Sequence, residues 1–246
     1  MEFCTSRSKY VRQCDLYYDS YQKEADNDVS LKLLTHQVRK GPKTFIPTFS
    51  SFIDLRDGST YKTVTIGNQT WMAENLRYIP YVSQEDEHEG IWVNGYYGTD
   101  VKEAVLTQNY LTYGCLYSQE TARYVCPEGY HLPTIDEWMT LITNFGGANL
   151  AGNKLKAQTE WNLKTPQMTN ESGFSALPGG YRTNYCQFAS VGTVGMWWSS
   201  SVNEYGNVFF MCMQDNRSTV IKLLHYGISS SFSIRCIKDK EDFSAQ

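Results

Sequence analysis

The amino-acid sequence predicts an α+β fold, and two observations carry that reading. One is a capped amphipathic helix in the middle of the chain. The other is the placement of the extended segments: a turn-punctuated group precedes the helix and a longer apolar series follows it, so helices come early and strands late. The 246 residues are enough for one large domain with an appendage. The expected division is an N-terminal segment at 1–50, a domain at 51–238 and a charged tail at 239–246. Hydrophobic residues make up 41% of the chain and charged residues 20%, so a packed core is expected.

In the N-terminal segment, Leu31, Leu34 and Val38 form a weak helical stripe. Asp28 is its cap and Gly41-Pro42 its stop, which reads as a short helix plus a linker. Residues 52–73 read as a meander. Asp57-Gly58 and Gly67-Asn68 are hairpin signals, and Val64 and Ile66 alternate with Thr63 and Thr65 at the period of a half-buried strand. Trp71 and Met72 are expected to begin the third strand, and Asn75 and Leu76 to leave the sheet. Residues 78–112 are irregular. A short helix is expected from near Ser118 to Arg123.

The central helix is the best specified element. Thr134 and Glu137 form a capping box, in which the hydroxyl and the carboxylate each satisfy an orphan N–H. Trp138, Leu141, Ile142 and Phe145 fall at i, i+3, i+4 and i+7, one apolar stripe. Gly146 and Gly147 supply a left-handed stop. The helix therefore runs from about Ile135 to Phe145, and the downstream sheet is expected to receive its stripe. Leu155 reads as turn or short strand, and Trp161 as a core plug. Phe174 and Ala176 point one way. Trp198 and Ser200 begin a strand with Trp197 opposed, and the unbroken apolar run at 208–213 reads as a central strand. Segments 220–224 and 233–237 close the sheet, and the charged tail frays.

A net charge of −4 argues against a nucleic-acid backbone as partner, which needs a basic patch. No apolar run reaches the length of a membrane span. Residues 1–8 lack the apolar stretch of a signal peptide. Ser199-Ser200-Ser201 and Ser229-Ser230-Ser231 stand outside any nucleophile-elbow pattern. Gly179-Gly180 lacks the lysine and helix signal of a phosphate loop. His36, His88, His131 and His225 are not spaced as metal ligands, and no C-x-x-C occurs. The run Glu85-Asp86-Glu87-His88-Glu89 has two readings, a calcium loop or a solvated loop. The solvated loop is favoured because EF-hand spacing is absent. His131 reads as a turn residue bonding backbone carbonyls in preference to a catalytic base. No catalytic residue, metal ligand or cofactor is therefore assigned. Seven cysteines leave the redox state open between disulfides and buried thiols. The 18 tyrosines suit either a binding surface or a β-rich core.

Several blocks, in order, resemble the Fibrobacter succinogenes major paralogous domain family. They include Asp57-Gly58, Ile66-Gly67-Asn68-Gln69-Thr70-Trp71-Met72-Ala73-Glu74-Asn75-Leu76, and Tyr113-Gly114-Cys115-Leu116-Tyr117. Then follow Cys126-Pro127-Glu128-Gly129-Tyr130-His131-Leu132-Pro133-Thr134, Ala151-Gly152-Asn153-Lys154-Leu155-Lys156, Gly173-Phe174-Ser175-Ala176-Leu177-Pro178-Gly179-Gly180-Tyr181-Arg182, Trp197-Trp198-Ser199-Ser200 and Ser233-Ile234-Arg235-Cys236. The resemblance covers about residues 52–238. It implies a C-type lectin-like fold related to the formylglycine-generating enzymes, in bacterial proteins at the cell surface or secreted.

The resemblance also implies a Cys126–Cys236 disulfide, with Cys115 as the candidate free thiol. Cys186–Cys212 and Cys4–Cys14 are weaker pairings. In C-type lectin-like folds the C-terminal half presents the ligand face. Here that half holds Tyr205, Asn207, Gln214, Asp215, Asn216, Arg217, His225 and Tyr226, rings and amides suited to glycan or protein. Three functions are weighed. The first is a non-catalytic module binding glycan or protein. The second is a variable target protein of a diversity-generating retroelement, which would leave a second copy of the coding segment near the gene. The third is an enzyme of the formylglycine-generating type, which needs Cys212 and Cys236 as a redox pair and is incompatible with a Cys126–Cys236 bond.

Overall fold

The computed structural model describes residues 46–163, 167–225 and 229–240. The Leu31/Leu34/Val38 helix, the Cys4–Cys14 pairing, Tyr226 and the tail beyond residue 240 lie outside the described residues.

The chain enters a meander of β1 (Thr48–Ile53), β2 (Thr60–Ile66) and β3 (Gln69–Met72). The β2–β3 turn has two residues, and Gly67 takes φ +63°, a conformation that glycine adopts without a side-chain penalty. Ile66 pairs directly with Gln69 across it. Trp71 and Met72 therefore end β3 and do not begin it, because the tight turn starts the strand at Gln69. Thr63 is buried together with Val64, so the alternation in β2 is incomplete.

Two short strands complete this sheet, β6 (Tyr130–His131) and β13 (Ile237–Lys238), in the order β1-β2-β3-β13-β6. Cys126 and Cys236 are disulfide-bonded where these strands meet, the pair that the resemblance implies. The bond closes a sequence separation of 110 residues, worth about 5 kcal/mol if it acts by restricting the unfolded chain.

A second sheet has the order β4-β5-β12-β7-β8, from Ile91–Trp92, Leu116–Ser118, Ser231–Phe232, Tyr181–Arg182 and Phe188–Ala189 respectively. The third is β11-β10-β9: β9 is Val194–Val202, β10 Val208–Gln214 and β11 Val220–His225. The apolar run is thus the central strand of this sheet. Neighbouring named strands pair antiparallel throughout, and with few, short helices among the described residues the fold is α+β. The segment 233–237, expected as one closing strand, instead crosses between sheets. Ser233 bridges to Trp197, and Ile237 pairs with Trp71 and His131.

Among the described residues the helices are short. α1 (Val101–Ala104) and α2 (Gln108–Tyr113) stand in the region read as irregular, each capped by a side chain, Asp100 and Thr107. α3 (Gln119–Ala122) has Ser118 as its cap, as expected. α4 (Ile135–Asn144) carries the capping box, and Gly146 and Gly147 follow in the left-handed region. α5 (Ala151–Leu155) replaces the turn or strand expected at Leu155. Its Gly152 has a steric cause: a Cβ there would stand 2.5 Å from the Ser218 carbonyl oxygen.

The core forms where α4 meets two sheets. Trp138 lies 4.8 Å from Trp71, 5.7 Å from Phe174 and 6.4 Å from Trp197, ring centroid to centroid. The stripe is therefore received by the upstream meander as well as by the later sheet. Beside it, Asn75 and Arg235 form a fully buried polar centre. Arg235 donates from Nε to Asn75 Oδ1 (2.8 Å), from Nη1 to the carbonyls of Met72 and Phe174, and from Nη2 to that of Ser175. Trp197 donates to the same Asn75 oxygen (3.0 Å), and Asn75 Nδ2 donates to the Tyr113 carbonyl (2.9 Å). Burial pushes the Arg235 guanidinium down to about 9.

Candidate functional site

A surface groove forms where the acidic loop faces α3. The loop folds back on itself, Ser83 N–H donating to the Ile91 carbonyl and Trp92 Nε1 donating to that of Gln84. Arg182 stacks 4.1 Å over the Trp92 ring and donates to the Glu85 carbonyl. These contacts hold Glu87 and Glu89 of the run on one wall. The opposite wall is α3 and the residues after it. The resulting groove has a volume of about 610 Å³, with Tyr78, Tyr81 and Tyr124 beside Glu87, Glu89 and Glu120. Tyr81 is 50% exposed and Tyr124 74%, so both rings are open to a ligand.

Arg56 braces the groove. Its guanidinium lies 3.8 Å over the Tyr78 ring and donates to the Val125 carbonyl (2.8 Å). Burial would raise the Asp54 carboxyl, but the Arg56 hydrogen bonds outweigh it and hold the group below its usual range.

A second cavity of about 190 Å³ adjoins the groove and shares Glu89 and Glu120 with it. His88, Gln119, Ser229 and Ser230 line it, and His225 reaches it from the end of β11. Among the described residues, no group of three or more His, Cys, Asp or Glu is arranged to hold a metal ion.

Strand β10 distributes the residues expected on the ligand face. Tyr205 (79% exposed) and Asn207 stand on the β9–β10 turn, where Asn203 Oδ1 accepts from both of their N–H groups. His225 belongs to the same end, paired with Val208. Gln214, Asp215, Asn216 and Arg217 lie at the other end of β10, roughly 20 Å away for a seven-residue strand. Gln214 and Asp215 are buried, and the Asp215 carboxylate accepts from Leu163 N–H (3.3 Å). The buried Lys156 ammonium donates to the Gln214 and Arg217 carbonyls. Of the expected face, His225 lines the cavity.

Sequence reasoning did not assign Tyr78, Tyr81, Tyr124 or Glu120 to a site. The available signal was local, two tyrosines at 78 and 81 ahead of the acidic run and one at 124, two residues after α3.

Other groups take structural positions. His131 is held by carboxylates and not by backbone carbonyls: Nε2 faces both Glu137 oxygens at 3.1 Å and Nδ1 faces Asp239. Burial drives the Cys115 thiol far up, so it stays protonated. Cys186 and Cys212 are not joined. Cys212 lies inside the central strand, whereas Cys186 sits at the surface with Sγ 3.8 Å from His88 Nδ1. Cys236 is bonded to Cys126 and so forms no redox pair with Cys212.

A family model, the Fibrobacter succinogenes major domain, matches residues 64–238. The chain belongs to that family. No curated protein and no solved structure matches the chain. In this Fibrobacter succinogenes major domain the groove and cavity residues named above fall within the matched stretch, apart from the bracing Arg56. Among the described residues, no helix is long and apolar enough to cross a membrane.

Proposed function

We propose that this Fibrobacter succinogenes major domain is a non-catalytic binding module of C-type lectin-like architecture. It acts at the cell surface or after secretion and holds a glycan or protein ligand. The observation that carries the proposal is the groove of about 610 Å³ that sets three tyrosines beside three glutamates. Tyrosine rings cover the apolar faces of sugars or of side chains, and their hydroxyls hydrogen-bond at the rim. Carboxylates accept from hydroxyl, ammonium or guanidinium donors. Concave sites with convergent polar groups are where small ligands bind. The ligand seat extends beyond the C-terminal half, because residues 78–91 form one of its walls.

The test is a screen of the purified oxidised chain against arrays of glycans and of peptides, with and without calcium. The reading expects specific binding on one array, lost in the Tyr81→Ala/Tyr124→Ala double variant while the circular dichroism spectrum is unchanged. Binding that the double variant retains would place the ligand elsewhere on the molecule. Absence of binding on both arrays would remove the support for a binding module.

A further inference from the structure

We propose that the groove takes a basic segment of a partner protein, with an arginine side chain seated against the rings of Tyr81 and Tyr124 and paired with the carboxylates of Glu87, Glu89 and Glu120. The proposal rests on the groove being a ligand seat and names the chemistry that this seat selects. Its first support is a charge imbalance. Three glutamates line the groove, and among the described residues that line it Arg56 is the one cation. The Arg56 charge is already matched, because its guanidinium pairs with the Asp54 carboxylate at 2.6 Å. Among the described residues, Glu87 and Glu89 have no ion-pair partner. Glu120 meets Arg123 at 3.5 Å, but both side chains are more than half exposed, so water screens that pair. The groove thus gathers like charges that its own lining does not neutralise.

The second support is a contact that the fold already makes inside the groove. Arg56 lies 3.8 Å over the Tyr78 ring while Nε and Nη2 donate to the two Asp54 oxygens at 2.9 and 2.6 Å. A guanidinium is planar, so it stacks on a ring with its face and bonds a carboxylate with its edge. The remaining rings offer that arrangement to an arginine from outside. Tyr124 Oη lies 3.5 Å from Glu120 Oε1, which sets a ring beside a carboxylate on one wall. Tyr81 shares the other wall with Glu87 and Glu89. Because Tyr81 is 50% exposed and Tyr124 74%, a side chain can enter while the rest of the partner stays at the rim. Competing classes fit less well. A phosphate, sulfate or carboxylate would meet three like charges. A neutral sugar can donate hydroxyls to the carboxylates but leaves their repulsion in place. A metal ion lacks a ligand set among the described residues.

The experiment is a titration of the full oxidised chain, followed through the ring signals of Tyr81 and Tyr124 by nuclear magnetic resonance. The probes are a capped Gly-Arg-Gly peptide, its twin with neutral citrulline in place of arginine, and the methyl glycosides of glucose, galactose and mannose. The arginine peptide is expected to shift both rings and the citrulline twin to leave them unmoved. Raising sodium chloride from about 50 to about 500 mM should weaken the arginine peptide about tenfold, because the pairing is electrostatic. Glu89→Gln/Glu120→Gln, which keeps the shape and removes two charges, should weaken it by about tenfold as well with an unchanged circular dichroism spectrum. Equal binding of the citrulline twin, or full binding by the glutamine variant, would overturn the cationic class and leave the groove standing as a seat. Shifts of both rings by a glycoside and not by the arginine peptide would do the same. No shift by any probe would overturn the arginine assignment and, together with blank glycan and peptide arrays, the binding-module reading itself.

Discussion

Two buried polar clusters in this molecule are built in opposite ways. Around Arg235, the guanidinium donates to Asn75 and to three backbone carbonyls, and Asn75 is itself held by Trp197 and Tyr113. Around His225, the imidazole is held by aromatic edges and its nitrogens have no partner among the described residues. The first cluster spends its polar groups on joining the sheets. The second leaves its imidazole nitrogens enclosed and unpaired. Buried polarity therefore joins the sheets where it is satisfied and weakens the fold where it is left unpaired.

The comparison breaks most visibly at Arg235. Arg235→Met should destabilise the fold by about 3–5 kcal/mol, since it leaves buried acceptors on Asn75, Met72, Phe174 and Ser175 without their donor. Urea denaturation would measure it, and a loss below about 1 kcal/mol would mean that the centre is not holding the sheets. The Cys126→Ser/Cys236→Ser pair should cost about 5 kcal/mol by the same measurement.

Acid should act through the other cluster. The folded pKa of His225, about 4, lies below its ordinary value of 6.5, so the unfolded chain binds the proton more readily. The His225 contribution is intact above about pH 6.5 and is lost as pH falls from there to about 4, by up to about 3 kcal/mol. His225→Phe should remove that part of the acid sensitivity, seen as a flatter stability profile between those pH values. Thr134→Ala, which breaks the capping box on α4, should cost about 1 kcal/mol in urea and leave both clusters as they are.

The elements legible in sequence are those whose cause is local. Thr134, Glu137 and the glycines at 146 and 147 bound α4 without reference to the rest of the chain, and Gly67-Asn68 sets the β2–β3 hairpin. Helices α1, α2 and α5 were not legible, because four to six residues are too few to show a periodic stripe and only the caps Asp100 and Thr107 mark the first two. The candidate site was legible least. Its walls meet because Ser231 of β12 pairs with Ser118 of β5, which brings Ser229 and Ser230 beside Gln119 and Glu120. Glu89 and His225 join the same cavity from distant parts of the chain. Such pairing is specified by sheet register and core packing, and no spacing along the chain records it. The residues expected on the ligand face fall into two groups for a related reason: hairpin turns at opposite ends of β10 are close in sequence and far apart in space.

The most direct measurement is the unfolding free energy of His225→Phe at pH 7, compared with the unaltered protein in the absence of ligand. If the imidazole is unpaired in the fold, replacing it by an apolar ring removes the unsatisfied polar atoms, and stability should stay level or rise by about 1 kcal/mol. A loss of about 2 kcal/mol or more would show that His225 is already satisfied within the fold, and would contradict the contrast between the two clusters.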